Sequence, residues 1–159
     1  MLSNTLTFTF FFIATFAFME FAANFSHKHI MHGFMWYWHE DHHRKKPKRF
    51  EKNDIFFVIF ASPCILLLVS NLWYPSVYSS AIGLGIMFYG MAYFIVHDLI
   101  IHQRINNKFL REHPYVKGLI QAHKDHHANI NQHDCHNFGM LWVPLKYFNG
   151  TDSKPHFEF

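Results

Sequence analysis

The chain has 159 residues, half of them hydrophobic and 19% of them Phe, Trp or Tyr, with a formal net charge of +3. This length fits a single domain over residues 1–159, and two cysteines are too few for a disulfide framework. The mean hydropathy of −0.03 resembles that of a soluble protein, but fifteen histidines lower this average and conceal long apolar runs.

The first apolar run extends from Leu6 to Ala23 and contains no charged residue except Glu20. A cleaved signal peptide is the alternative interpretation. Against it, the start MLSNT lacks a basic residue, and no small-residue cleavage site precedes the histidines that follow. The run therefore predicts a membrane span over about residues 4–24.

A second apolar region covers residues 55–96 and contains no Asp, Glu, Lys, Arg or His. It is long enough for two spans of roughly 20 residues each. Asn, Pro and Ser residues within 71–80 are typical of a turn that divides the region. We therefore predict spans over about residues 55–74 and 78–98.

The basic residues predict the orientation of these spans. All fourteen Lys and Arg lie in residues 28–52 or 104–154. The positive-inside rule places both regions in the cytoplasm and the N-terminus outside. The number of spans agrees with this orientation, because the chain crosses the membrane twice between the region after the first span and the region after the third. The histidine-rich regions 27–52 and 97–159 are therefore predicted to share the cytoplasmic side.

Ten histidines form a repeated pattern behind the first and third spans. HxxxxH occurs at His27 and His32 and again at His97 and His102. Each of these motifs is followed by HxxHH, at His39, His42 and His43 and at His123, His126 and His127. Duplicated ligand sets indicate two halves of one metal site or two metal ions. Clustered surface histidines are the alternative interpretation.

The spacing within the motifs limits their geometry. In HxxHH, residues three and four apart share a helix face, so His39 and His43 can approach one ion. In HxxxxH, residues five apart differ by about 140° on an ideal α-helix. Such a pair needs a distortion such as a π-bulge, a helix end, or two different ions.

The number of histidines is more informative than their type, because imidazole suits Zn, Cu, Fe and Ni alike. Ten patterned histidines exceed the three or four protein ligands of one zinc site and fit two ions. HEDHH also matches the zinc-protease motif HExxH, with Glu40 as general base. The second motif, HKDHH, has Lys124 at that position, which argues against a protease.

These motifs, in this order around membrane spans, resemble the fatty acid hydroxylase superfamily of non-haem di-iron membrane enzymes. Within it the chain is similar to the bacterial β-carotene hydroxylase family. The resemblance extends over about residues 19–145. It is carried by MEFAANFSHKHIMHG, WHEDHHRKKPKRFEKND, VHDLIIHQR and AHKDHHA.

The resemblance implies two non-haem iron ions, O2 as co-substrate and a bacterial inner-membrane location. It further implies hydroxylation of both β-ionone rings of β-carotene, giving zeaxanthin through β-cryptoxanthin, with electrons from a reduced ferredoxin-type donor. The implied metal ligands are His27, His32, His39, His42, His43, His97, His102, His123, His126 and His127.

Two other functions stay open. A di-iron hydroxylase could act on another lipid, such as a fatty acid or a sterol. A membrane metal-binding or transport protein would lack redox turnover, but transporters place their ligands near mid-membrane, whereas these motifs flank the spans. The basic segment 44–52 adjoins a span and is predicted to contact lipid headgroups or the electron donor rather than nucleic acid.

Four carboxylates are predicted to accept hydrogen bonds from ligand imidazoles: Glu20, Asp41, Asp98 and Asp125. Glu20 is the most unusual of them, because intramembrane charges are costly and usually functional. It precedes His27 by seven residues and is predicted to face the same way. The alternative is that Glu20 lies at the membrane interface.

The predicted fold is an all-α integral membrane protein, with about three transmembrane helices extended into a cytoplasmic, histidine-rich helical cap. Residues 138–148 are too short to span a membrane and are predicted to form an interfacial helix that closes the site. His133 and His136 flank Cys135, a spacing that permits an accessory metal site, although a surface role is favoured.

Overall fold

The structure, a computed structural model, describes residues 2–44, 50–102, 108–128, 132–133 and 135–148. Within these ranges the chain forms helices and no strand, which confirms the all-α fold. Residues 45–49 of the basic segment and the predicted cytoplasmic residues 149–159 lie outside the described residues. The α-helices are α1 (Leu2–Ser26), α2 (Trp36–His39), α3 (Ile55–Ser70), α4 (Val77–Phe94), α5 (Lys108–Glu112) and α6 (Pro114–His127).

Three helical stretches are long and apolar enough to cross a membrane, which confirms the number of predicted spans. In the described part of the chain they are Leu2–Phe34, Lys52–Ser70 and Val77–Ile101. The second ends at Ser70 rather than at residue 74, because Asn71 starts the turn there. Its side chain donates to the Leu67 carbonyl and accepts from the Ser76 N–H, both at 2.8 Å.

Two glycines let α4 pack closely between α1 and α3. A Cβ atom at Gly83 would lie 2.9 Å from Leu68 Cδ2 of α3. A Cβ atom at Gly85 would lie 2.8 Å from Thr15 Cβ of α1. Small residues of this kind are typical of helix contacts inside membranes, where backbones approach each other closely. Gly90 has no such neighbour, since nothing lies within 4 Å of its Cβ position.

Both membrane helices that lead to the histidine motifs widen into π-helix at their ends, at His27–Phe34 and Ile95–Ile101. The His102 N–H donates to the His97 carbonyl at 2.9 Å, a bond across five residues. Residues five apart therefore stack on one face, as they do not in an α-helix. Of the geometries open for HxxxxH, the structure adopts the π-helical distortion.

A cap of α6 and the segment 135–148 covers these π-helices. Its buried core consists of Ile101, Leu119, Ala122, Met140, Val143 and Tyr147. The predicted helix over 138–148 is wrong for most of its length, since only Leu145–Phe148 forms a short 3-10 helix. The reason is that the N–H groups of residues 140–142 donate to the Glu20 carboxylate of α1 instead of to helical carbonyls.

We expect Gly85→Ala to destabilise the protein by about 1–3 kcal/mol, because its Cβ would overpack the contact between α1 and α4. The matched change, Gly90→Ala, meets open space and should be neutral or slightly stabilising. Thermal unfolding of both variants in the same detergent, followed by circular dichroism, measures the difference. Equal melting temperatures would contradict this packing.

Candidate metal centre

Nine of the ten predicted ligands gather into two groups, and within each group the side-chain nitrogens that could bind metal lie within 4.8 Å of one another. The first group contains His27, His32, His39, His43 and His126, all of which are buried. The second group contains His42, His97, His102 and His123, of which all but His102 are buried. Each group could hold one metal ion.

The tenth residue, His127, lies between the two groups. Its ring stacks on His43 of the first group, with the ring centroids 4.5 Å apart. It also lies 4.4 Å from the ring of His123 in the second group. All ten predicted ligands are therefore brought together, and both histidine-rich regions lie at the same end of the helices.

Each HxxHH motif divides its histidines between the groups. His39 and His43 stay with His27 and His32, while the middle residue His42 joins the second group. In the other motif the middle residue His126 crosses to the first group, and His123 remains with the second. Each group therefore contains an HxxxxH pair, the outer histidines of the HxxHH motif that follows it in the sequence, and the middle histidine of the other HxxHH motif, with His127 of the second motif lying between the groups.

Backbone carbonyls orient three imidazoles of the first group. The Nδ1 atoms of His27, His32 and His126 contact the carbonyls of Phe138, Gln132 and His136 at 3.1, 3.1 and 2.8 Å. A carbonyl only accepts, so each Nδ1 carries the hydrogen and donates. The Nε2 atom of each ring therefore carries the lone pair that can bind a metal, and it faces the other histidines of the group.

Side chains orient three further imidazoles. His39 Nδ1 donates to Asn53 Oδ1 at 2.7 Å, and His42 Nδ1 donates to Glu51 Oε2 at 3.0 Å. His97 Nδ1 donates to Asp98 Oδ2 at 3.2 Å. Acceptors of this kind fix the tautomer and the ring orientation of metal-binding histidines.

The inward nitrogens fit a metal ion. The Nε2 atoms of His27 and His39 lie 3.0 Å apart, and those of His42 and His97 lie 3.1 Å apart. Two lone-pair atoms facing each other at this distance gain nothing from each other, but a shared cation would stabilise both. Among the described residues, the buried Nε2 atoms of His32 and His126 have no hydrogen-bond partner. A buried donor set of this kind suits a divalent transition metal.

Burial lowers the pKa of five of these histidines and so favours their neutral form. It is the largest cause for each of the five, all of which lie outside the membrane-spanning segments, and neighbouring imidazoles lower the pKa further. Neutral imidazole is the form that binds metal. The five are His39, His42, His123, His126 and His127.

The four predicted acceptor carboxylates have different partners. In the described part of the chain, only Asp98 contacts a predicted ligand imidazole. Asp41 accepts from the Lys52 N–H at 2.8 Å. Asp125 accepts from the Tyr147 hydroxyl and from the Asn137 amide, and so joins α6 to the segment that covers it.

Glu20 lies inside the apolar part of α1 and holds the covering segment. The N–H groups of residues 140–142 donate to its Oε1 at 2.8, 2.9 and 3.0 Å, and the Tyr89 hydroxyl donates to its Oε2 at 2.8 Å. Glu20 therefore contacts this segment rather than His27. It reaches His27 only indirectly, since Phe138 in the same segment supplies the carbonyl that His27 contacts.

The side chains of the remaining candidates belong to neither group. Glu40 accepts from Arg44 at 3.3 Å and lies 3.5 Å from Lys52, so it is not placed as the base of a protease. His133 and His136 are exposed beside the buried Cys135, and these three do not form a possible metal group among the described residues.

Glu51 and Asn53 contact ligand imidazoles but are absent from the sequence predictions. Both follow a basic run, where a carboxylate and an amide are usually surface residues. No spacing rule connects them to His42 or His39. The burial of Glu51, which would have identified it, is visible only in the structure.

The chain is similar to a known family and to several named proteins. The profile of the family described as fatty acid hydroxylase matches residues 12–151. A protein named beta-carotene hydroxylase from Pantoea ananas is 40% identical over 129 residues, which cover 79% of this chain and 71% of that protein. A protein of the same name from Paracoccus sp. (strain PC1) is 38% identical, over 83% of this chain and 82% of its own.

A plant protein is also similar. The chloroplastic beta-carotene 3-hydroxylase of an Oncidium hybrid cultivar is 38% identical over 114 residues, which cover 70% of this chain and 37% of that protein. No solved structure matches the chain significantly.

We expect the metal-free protein to lose stability as the pH falls below about 6.5, the ordinary pKa of histidine. The sign follows from the lowered pKa values: below that pH the unfolded chain binds protons that the folded chain excludes, so acid favours unfolding. Stability should be retained above pH 6.5. Thermal unfolding between pH 5 and 8 in detergent measures this, and a melting temperature that rises on acidification would contradict it.

We expect Glu20→Ala to loosen the segment over 140–142. The change removes the acceptor of three N–H groups and one hydroxyl, and each buried polar group left unsatisfied costs about 1–3 kcal/mol. Hydrogen exchange of these amides should accelerate, whereas Glu40→Ala, which removes a carboxylate facing two basic side chains, should leave it unchanged. Unchanged exchange in Glu20→Ala would contradict the assigned contacts.

Proposed function

The chain belongs to the fatty acid hydroxylase family, and from this premise we propose that it is a β-carotene 3-hydroxylase. It would hydroxylate both β-ionone rings, giving zeaxanthin through β-cryptoxanthin. The observation that carries this proposal is the pair of histidine groups at the ends of apolar helices, in a chain similar to named beta-carotene hydroxylases.

The family and the buried histidine groups fit a metal-dependent oxygenase. We propose that both ions are iron and that O2 is the co-substrate. The proposed ligands are the five histidines of the first group and the four of the second, with His127 between them. Bound iron would supply the oxidation of an unactivated C–H bond, which acid–base side chains do not perform.

The protein's own residues orient the imidazoles. Backbone carbonyls, Asn53, Glu51 and Asp98 accept the Nδ1 hydrogens, so that the Nε2 lone pairs face each group's centre. Because these acceptors are fixed before a substrate arrives, the rings need no reorientation on binding. Fixed positions of this kind support the precise geometry that oxygen chemistry requires.

Aromatic rings pack against both groups. The Phe138 ring lies 5.1 to 5.4 Å from the rings of His27, His32 and His126. Tyr93 of α4 lies 5.1 Å from the His97 ring. A carotene dissolves in the bilayer, so its terminal ring would approach along the apolar helices and meet these aromatic surfaces before it reached the metal ions.

The three apolar helices and the family are those of a membrane protein. We propose a bacterial inner-membrane location with both histidine groups on the cytoplasmic side, supported by the distribution of Lys and Arg. A soluble, reduced ferredoxin-type donor would reach the groups from that side. The single domain over residues 1–159 is part of the same proposal.

A hydroxylase of another lipid is the second candidate, because the matching family profile is described by fatty acids rather than carotenes. A metal-binding protein without redox turnover would bind metal but consume no oxygen. Product analysis separates these possibilities from the proposed function.

Pigment chromatography of β-carotene-accumulating cells that express the chain tests the proposal. We expect zeaxanthin from the wild type, and none from His126→Ala, which loses a buried member of the first group. His29→Ala is the matched control, since His29 is exposed and belongs to neither group, and it should retain activity.

Unchanged β-carotene in cells with membrane-inserted, iron-loaded wild type and a working electron donor would overturn the carotenoid assignment. Hydroxylated fatty acids or sterols in the same cells would then favour the second candidate.

A further inference from the structure

The two histidine groups differ in the charge of the residues that surround them. We propose that Glu51, acting through His42, and Asp98, acting through His97, make the second group the negatively polarised member of the pair. Glu51 is then a positioning residue that sets the metal affinity of this group. The inference rests on the proposed function, in that it assumes a divalent transition metal in each group.

The described acceptors of the first group are uncharged. Three are backbone carbonyls of the segment 132–138, which accept from His27, His32 and His126. The fourth is the amide oxygen of Asn53, which accepts from His39. Four of the five imidazoles in this group therefore donate to neutral oxygens.

The described acceptors of the second group are carboxylates. Glu51 Oε2 accepts from His42 at 3.0 Å, and both side chains are only 6% exposed. Asp98 Oδ2 accepts from His97 at 3.2 Å, with 22% of its side chain exposed. Because water screens the Glu51 pair least, Glu51 should act more strongly than Asp98.

A carboxylate on Nδ1–H makes the imidazole a stronger donor at Nε2. It draws the hydrogen toward itself, which raises the electron density of the ring and the basicity of the ligating nitrogen. It also adds a negative charge near the cation. The first group has five imidazoles and the second has four. The first group would therefore hold its ion by the number of its ligands, and the second by the negative charge beside its ligands.

The backbone at Glu51 is held in place by the short helix that follows it. The Glu51 N–H donates to Asp54 Oδ2 at 3.1 Å at the start of Lys52–Asp54. Asn53 lies in the same turn and contacts the other group through His39. One turn therefore contacts both groups, with a carboxylate on one and an amide on the other.

This arrangement permits a reciprocal test in which shape is conserved and only charge changes. Glu51→Gln removes the carboxylate beside His42 and keeps an oxygen that can accept. Asn53→Asp adds a carboxylate beside His39. Glu40→Gln is the control, because it removes a nearby carboxylate whose described partners are Arg44 and Lys52 rather than a histidine.

Each variant of the full chain would be purified in detergent, stripped of metal and titrated anaerobically with Fe2+ against a chelator of known affinity. We expect Glu51→Gln to weaken one of two binding steps by about 10- to 100-fold and Asn53→Asp to strengthen the other step. Glu40→Gln should change neither step. With 57Fe, Glu51→Gln should shift one Mössbauer doublet and Asn53→Asp should shift the other.

Two bound irons whose affinities do not respond to Glu51→Gln, or respond equally, would overturn the inference while leaving the proposed function intact. Both variants shifting the same doublet would overturn it as well. A wild-type chain that binds no iron would instead overturn the proposed function, and the inference with it.

Discussion

The Nδ1 hydrogens of the buried imidazoles constrain much of this structure. A buried donor without an acceptor is costly, so each imidazole needs an oxygen behind it before its Nε2 can face a metal. The chain provides these oxygens from parts that are distant in sequence: a short turn after the basic run, the end of the third apolar helix, and the segment 132–138. Residues 135–144 are not helical, so carbonyls such as those of His136 and Phe138 are not used in helical hydrogen bonds and can serve as acceptors.

The need to satisfy buried hydrogen-bond donors also explains why the first apolar helix contains a carboxylate. A segment with irregular backbone near the membrane needs partners for its N–H groups, because lipid supplies none. Glu20 satisfies three of them with one oxygen and the Tyr89 hydroxyl with the other. The cost of an intramembrane carboxylate is thus offset by hydrogen bonds, and the segment that orients His27 is anchored to the helix that carries His27.

Sequence reasoning reached the features that depend on local pattern. The apolar runs predicted three membrane helices. The spacing of HxxxxH left a helical distortion, a helix end and two different ions open, and the structure has the first of these, a π-helix. Contacts between residues that are distant in the sequence could not be predicted from local pattern. Glu20 was singled out because of its position in an apolar run, but its partners lie about 120 residues away, at 140–142. The carbonyls that orient the first group carry no side-chain signal, and Glu51 resembles an ordinary surface residue within a basic segment.

The middle histidine of each HxxHH motif lies in the group formed mainly by the other half of the chain, and this affects how the two halves are held together. The turn after Ser70 divides the chain into two halves, and neither half contains a full set of imidazoles for either group: His42 belongs with the second half's residues and His126 with the first's. An ion in either group would act as a cross-link between the halves, closing a long loop of chain. Each bound ion would therefore stabilise the contact between the halves, and a protein that loses one ion would lose one of two cross-links between them.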